Sequence, residues 1–312
     1  MAIDTTALLN QRITSQIGFI GYGEVGKTFS AALKPQANLG VAWVGAWDVK
    51  FDDSSSERGH ARDRGIAASG SVSELCQQAS LIISCVTASN TLAVAEEAAQ
   101  HIQRGTYFLD CNSASPATKQ ACAKLIDGAG GHYVEAGVMT SVPPYGIKTP
   151  MLLGGAYAER LAAALTPLGF DAKRVSEKLG VASAIKMCRS VMIKGLEALV
   201  MESYTTARHY GVEDYVIPTL VETFPEIDWE KQGDYLFSRV IMHGKRRSEE
   251  MRESAATVRE AGFEPFMASA IADKQASIAE LKLEGVFAKL GKDYGWREAA
   301  DLMIASKKVN EK

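Results

Sequence analysis

Short apolar runs separated by segments of helical periodicity fill the first half of the chain. Ile17 to Ile20, Val41 to Trp47, Leu81 to Val86, Tyr107 to Asp110 and His132 to Val134 have the length and content of buried strands. Between them Val25, Phe29 and Leu33 recur at helical spacing, and Ser71-Val72-Ser73-Glu74 opens a helix as a capping box. Thr91 to Ile102 is alanine-rich, and Pro116 after Ser115 sits at a first helical position. Alternation of this kind predicts α/β architecture: a doubly wound, mostly parallel sheet with helices on both faces. Met151 to Leu153 and Ala172 to Val175, flanking a helix over Ala156 to Leu165, extend that sheet.

From Gly180 onward the pattern is helical. The longest candidate, Val181 to Tyr210, keeps Ile185, Cys188, Val191, Met192, Leu196 and Leu199 at helical recurrence over several turns, as a buried or interfacial helix does. Pro218, Pro225 and Pro265 punctuate the chain beyond it, Ser248 to Ala261 and Ala268 to Leu283 read as amphipathic helices, and Lys307 to Lys312 as a charged tail. The expected division is 1–177 for a Rossmann-type α/β domain and 178–312 for an all-helical domain.

Composition narrows the partners. A formal charge of -3 and a pI near 6.0 argue against a nucleic-acid backbone, which calls for a basic face. Five cysteines without Cys-x-x-Cys spacing suggest neither a disulfide framework nor a zinc site, and no His/Asp/Cys cluster has metal-ligand spacing. Met1 to Thr14 lacks the basic start and apolar core of a signal peptide and reads as a short arm, and no run approaches membrane-spanning length, so a cytoplasmic protein is expected.

The chemistry starts at Gly21-Tyr22-Gly23-Glu24-Val25-Gly26, which follows an apolar strand and opens a helical pattern, with Asp48 closing the next strand. In a βαβ unit the first glycine makes the tight turn, the second lets backbone approach a pyrophosphate, and the third lets helix pack on strand. An acid at Asp48 suits ribose hydroxyls and repels a 2′-phosphate, favouring NAD, while Lys50 keeps NADP open. The bland alternatives are a glycine-rich turn without a ligand and a solvated strand-end acid. Ligands of such sheets lie beyond the carboxyl ends of the strands. Val86, Thr87, Asn90, Asn112 and Ser113 are therefore expected along the nicotinamide half. In the helical half, Lys186 and Ser190 share a helix face. From spacing alone Lys186 is a solvated lysine or a catalytic one.

With Gly21-x-Gly-x-x-Gly26, Asp110-Cys111-Asn112-Ser113-Ala114-Ser115-Pro116 and Gly180 through Lys186 in this order, the chain resembles the β-hydroxyacid dehydrogenase superfamily over nearly its full length. That superfamily includes 3-hydroxyisobutyrate and 6-phosphogluconate dehydrogenases, a Rossmann-type domain followed by a helical domain that usually dimerises, so a homodimer is implied. Lys186-Met187, Gly195 and Glu202 look like the catalytic helix of the 6-phosphogluconate branch. The resemblance makes Lys186 the catalytic lysine and Ser113 a contact to cofactor and substrate. Three departures stand out. Ser190 replaces the family's asparagine, Ile193 stands where phosphogluconate decarboxylation needs a glutamate, and Met139-Thr140-Ser141 replaces the substrate-gripping Ser-Gly-Gly.

The implied activity is hydride transfer between nicotinamide and a 3-hydroxy acid or related β-hydroxy compound, with Lys186 as proton-transfer group and Ser190 beside it. Lysine's ordinary pKa of about 10.4 would have to be depressed by burial and by the positive oxidised nicotinamide. Met139 offers an apolar wall where glycines would close on a carboxylate, so a bulkier substrate is expected. Its polar end would be held by Asn112, Ser113, Thr140, or His243 and Arg246 of the His243 to Arg247 cluster, which reads equally as a solvated basic helix start. The rival readings are an imine reductase or reductive aminase, whose usual aspartate or tyrosine is replaced here by Lys186, and a non-catalytic dinucleotide-binding protein.

Overall fold

The computed structural model describes residues 12–33, 39–51 and 56–310, and most of the expected N-terminal arm lies outside them. The chain divides into two compact units, Met1–Met187 and Cys188–Lys312.

The first unit is built on one eight-stranded sheet of order β3-β2-β1-β4-β5-β6-β7-β8. Its strands are β1 (Gln16–Ile20), β2 (Trp43–Trp47), β3 (Ala67–Ala68), β4 (Leu81–Ser84), β5 (Tyr107–Asp110), β6 (His132–Val138), β7 (Met151–Gly154) and β8 (Ala172–Ser176). All neighbours are parallel except β6 and β7, which run antiparallel. The helices are α1 (Glu24–Ala32), α2 (Ser56–Asp63), α3 (Val72–Gln78), α4 (Thr91–Ala99), α5 (Pro116–Gly128) and α6 (Ala158–Leu165).

Alternation along each strand feeds two cores, one on each face of the sheet. Phe19, Leu81, Ile83, Leu109, Val134 and Ala136 pack with Phe29 of α1 and Leu161 of α6. Their neighbours Ile20, Ile82, Phe108 and Tyr133 pack with Leu75 of α3, Val94 of α4 and Ile126 of α5. Every residue of β4 and β5 is buried, which is why Leu81-Ile82-Ile83 and Tyr107-Phe108-Leu109 read as short apolar runs. The Ser71 side chain accepts from the Glu74 N–H at 3.1 Å, and Ser115 accepts from the Thr118 N–H at 3.3 Å. Both starts are where their capping residues predict them.

The second unit is helical. It takes in most of α7 (Val181–Tyr210), then α8 (Glu213–Thr223), α9 (Trp229–Glu260), α10 (Phe266–Leu283) and α11 (Trp296–Asn310). Tyr204, Phe237 and Trp296 meet at its centre, where a Cβ at Gly233 would come within 2.8 Å of both Tyr204 and Trp296 rings. Several elements differ from the sequence pattern. Pro218 lies inside α8 rather than ending a helix. The helix expected to begin at Ser248 is the last part of α9, whose start is capped by Asp228 accepting from the Lys231 N–H at 3.1 Å. Its buried stripe passes through Gly233, Gly244 and Arg247, and these non-apolar positions hid the periodicity. Residues 307–310 of the expected tail are helical, part of α11. Among the described residues no helix is long and apolar enough to cross a membrane.

Candidate active site

Strand order reverses between β1 and β4, the kind of switch point where open α/β sheets take their ligands. The glycine-rich loop joins β1 to α1 there. Gly21 has φ +100, in the left-handed region open to glycine, and its N–H donates to the Trp47 carbonyl at 2.8 Å. A Cβ at Gly26 would overlap the Gly21 carbonyl oxygen, so α1 packs against the turn only because that position is glycine. A Cβ at Gly23 would meet nothing within 4 Å. The backbone there is open for a ligand to approach at a helix N-terminus, which fits a pyrophosphate. The Tyr22 ring is core, packed edge-on to Phe51 at 5.4 Å between centroids. Glu24 and Val25 begin α1.

Asp48, just past β2, accepts from the Tyr22 N–H at 2.7 Å through Oδ2 and from the Lys50 N–H at 3.0 Å through Oδ1. Two backbone donors therefore fix its carboxylate beside the glycine-rich turn. Each oxygen keeps lone-pair capacity for a further donor.

Beyond β4 and β5 the loops are locked to each other. Asn112 Oδ1 accepts from the Val86 N–H at 2.7 Å while its Nδ2 donates to Ser84 Oγ at 2.9 Å. The Asn112 side chain is thus spent on structure and is 3% exposed. Its own N–H donates to Asp110 Oδ1 at 2.9 Å. Asp110 is in turn held by Lys119 Nζ at 2.8 Å and by the Tyr133 hydroxyl, which donates to Oδ2 at 2.6 Å. This ion pair is buried on both sides, a network invisible to a reading by periodicity. Burial and the Asp110 charge push the Tyr133 hydroxyl well above its usual range. Asn90 Nδ2 donates to Thr87 Oγ1 at 2.8 Å, and Ser113 is half-buried.

Lys186 sits in the second turn of α7, still within the first unit. A Cβ at Gly137 of β6 would lie 3.5 Å from Lys186 Cβ and 2.8 Å from the Ala182 carbonyl, so helix and strand touch here. Lys186 is half-buried and close enough to Cys111, at the end of β5, for its charge to act on that thiol. Burial nonetheless pushes Cys111 up to about 12, so it is no nucleophile near neutrality. Met139 and Thr140, past the end of β6, are half-buried, and the Met139 N–H donates to the Pro150 carbonyl at 3.0 Å. The first unit thus gathers the glycine-rich loop, Asp48, Val86, Thr87, Asn90, Ser113, Met139, Thr140 and Lys186 at the carboxyl ends of its parallel strands.

The second unit holds the remaining expected residues. Ser190 Oγ accepts from Lys194 Nζ at 3.1 Å, and Lys194 pairs with Glu250 at 2.9 Å. Arg247 pairs with Glu197 at 2.8 Å, and Gln275 donates to the same carboxylate at 3.2 Å. These buried pairs join α7, α9 and α10. His243 lies 3.2 Å from Arg239, and burial together with Arg239, Arg246 and Arg247 lowers its pKa to about 4. It is a neutral imidazole near neutrality, not a cation. The Arg246 side chain is 40% exposed, 3.9 Å from Glu250.

Known proteins align with both units. Residues 16–164 match the NAD binding domain of 6-phosphogluconate dehydrogenase, and residues 207–278 match a domain of unknown function, DUF1932. A conserved hypothetical protein from Sinorhizobium meliloti 1021 is 35% identical, with 95% of this chain and 97% of that one covered at a TM-score of 0.71. A conserved protein of unknown function, described as structurally similar to 3-hydroxyacid dehydrogenases, is 30% identical over 86% of this chain and 99% of its own, TM-score 0.64. The Mycobacterium tuberculosis 3-hydroxyisobutyrate dehydrogenase, solved with L-serine, shares the fold at 16% identity, 93% and 99% coverage and a TM-score of 0.65. With a dinucleotide-binding first unit, a helical second unit and relatives alike over almost their whole length, the chain belongs to the β-hydroxyacid dehydrogenase superfamily.

Proposed function

We propose that this protein is an NAD-dependent oxidoreductase acting on a 3-hydroxy acid or related β-hydroxy compound, with Lys186 moving the hydroxyl proton. The observation that carries the reading is the seat of Lys186 against Gly137, at the carboxyl ends of β5 and β6 and in the same unit as the glycine-rich loop. In oxidation, the O–H bond of the substrate breaks toward Lys186 Nζ while the carbinol C–H bond delivers its electron pair as hydride. A nicotinamide cofactor held at the glycine-rich loop and Asp48 would supply the hydride acceptor. In reduction the Lys186 ammonium polarises the carbonyl and donates the proton.

Asp48, fixed by two backbone donors, supports a preference for NAD over NADP. Met139-Thr140-Ser141 in place of the family's Ser-Gly-Gly supports a substrate with an apolar part. Ser190, occupied by Lys194, serves the helix rather than the reacting atoms in this reading. The exposed apolar residues Met192, Leu196 and Leu199 of α7 support a homodimer, since a second copy would cover them.

An absorbance screen coupled to NAD reduction, over short and aryl-bearing 3-hydroxy acids, β-hydroxy amino acids and amino alcohols, tests the activity. Saturable turnover on at least one β-hydroxy compound is expected. NADH binding without turnover on any of them would replace this reading with that of a dinucleotide-binding protein.

A further inference from the structure

Glu135 is a carboxylate with no solvent exposure in the middle of β6, a position at which an acid has no place unless it is paired. Its partners are backbone. Oε1 accepts from the Gly180 N–H at 2.7 Å and the Ala182 N–H at 3.2 Å, and Oε2 accepts from the Ser183 N–H at 3.3 Å. These donors are the start of α7, groups that have no intrahelical acceptor and that form the positive end of the helix dipole. The space for the carboxylate is made on the next strand, where a Cβ at Gly154 would overlap Glu135 Oε1. Two residues along β6, Gly137 lets the helix settle on the strand beside Lys186. Gly180 itself has φ +98, so the turn into the helix is tight.

Three fixed points, the carboxylate and the two glycines, therefore set both the height and the rotation of α7 where it carries Lys186. We propose that Glu135 is a positioning residue for Lys186: it grips the first turn of α7 through the sheet and so fixes where the amine of the second turn can reach. This rests on the reading of Lys186 as the proton-transfer group. A misplacement of the order of 1 Å of such a group costs roughly 100-fold in rate. The loops expected to hold the cofactor, after β1, β2, β4 and β5, make none of these contacts, so cofactor affinity should be unaffected.

The test uses the full-length protein and two variants that disturb the grip differently. Glu135→Gln removes the charge and one acceptor. Gly154→Ala keeps the carboxylate but displaces it; should the first variant fail to fold, the second carries the test alone. In each, amide hydrogen exchange across residues 180–187 should accelerate at least about tenfold. The acetylation rate of Lys186 by acetic anhydride, mapped by mass spectrometry against Lys148, should change by about threefold or more. With a substrate from the screen, kcat should fall about 10- to 100-fold while NADH affinity stays within about twofold. Faster exchange with unchanged Lys186 reactivity and unchanged kcat would overturn the proposal and leave Glu135 a helix cap alone. If no substrate turns over, the function is what fails, and Lys186 reactivity still decides for or against the positioning role.

Discussion

At the residue scale, Asp48 stands beside the glycine-rich turn with its carboxylate fixed by the Tyr22 and Lys50 N–H groups. Gly21, Gly23 and Gly26 were legible in the sequence because their spacing has one physical meaning in a strand-turn-helix, and the backbone adopts it. Asp48 was legible as a strand-end acid, though not its two backbone donors, which no spacing rule exposes. Glu135 and Lys119 were missed because periodicity counts a buried charge as a break in an apolar face. Asn112 was expected at the nicotinamide, and its side chain is instead the clasp between two loops. Replacing Asp48 by serine removes the charge that would repel a 2′-phosphate. The ratio of kcat/KM for NADP over NAD should rise by about tenfold, equivalent to about 1.4 kcal/mol. An unchanged ratio would remove Asp48 as the discriminator.

At the scale of the elements, buried ion pairs do in both units what apolar contacts do elsewhere. Lys119 on α5 and Asp110 on β5 face each other at 2.8 Å with almost no exposure. Lys119→Met strands a carboxylate in the interior, and breaking such a pair costs about 3 to 5 kcal/mol. Urea unfolding should show a correspondingly lower midpoint, and a midpoint equal to wild type would mean that the pair contributes nothing net. In the helical unit, His243 on α9 is held neutral, with its pKa lowered to about 4 by burial and the surrounding arginines. As the pH falls from about 6.5 toward 4, the unfolded chain takes up a proton that the folded chain refuses, so stability is lost across that window. Partial exposure of the ring tempers the effect. Thermal unfolding followed between pH 7 and 4 should fall less steeply in His243→Gln than in wild type. Parallel slopes would show that the imidazole is not responsible. Strands β4 and β5 were readable as apolar runs, whereas α9 was half hidden because Gly244 and Arg247 occupy its buried face.

For the whole molecule, the alternation of strands and helices followed by an all-helical stretch was enough to predict the architecture, and β6 pairing antiparallel with β7 is the detail that alternation alone did not carry. The division between the two units falls after Met187, inside α7, whose first turn donates backbone N–H groups to Glu135 of β6. Met192 at 74% exposure and Leu199 at 55% are apolar side chains left to solvent in a single copy. Light scattering at micromolar concentration should give twice the chain mass of 33.6 kDa, and an active monomer would contradict the homodimer. Proton transfer from the substrate hydroxyl by Lys186 is the proposal on which the rest depends. Its most direct test compares wild type and Lys186→Ala on a β-hydroxy substrate, with NADH affinity measured alongside. If Lys186 moves the proton, kcat falls by about 100-fold or more with NADH affinity unchanged, and near-normal turnover in the alanine variant would contradict that role.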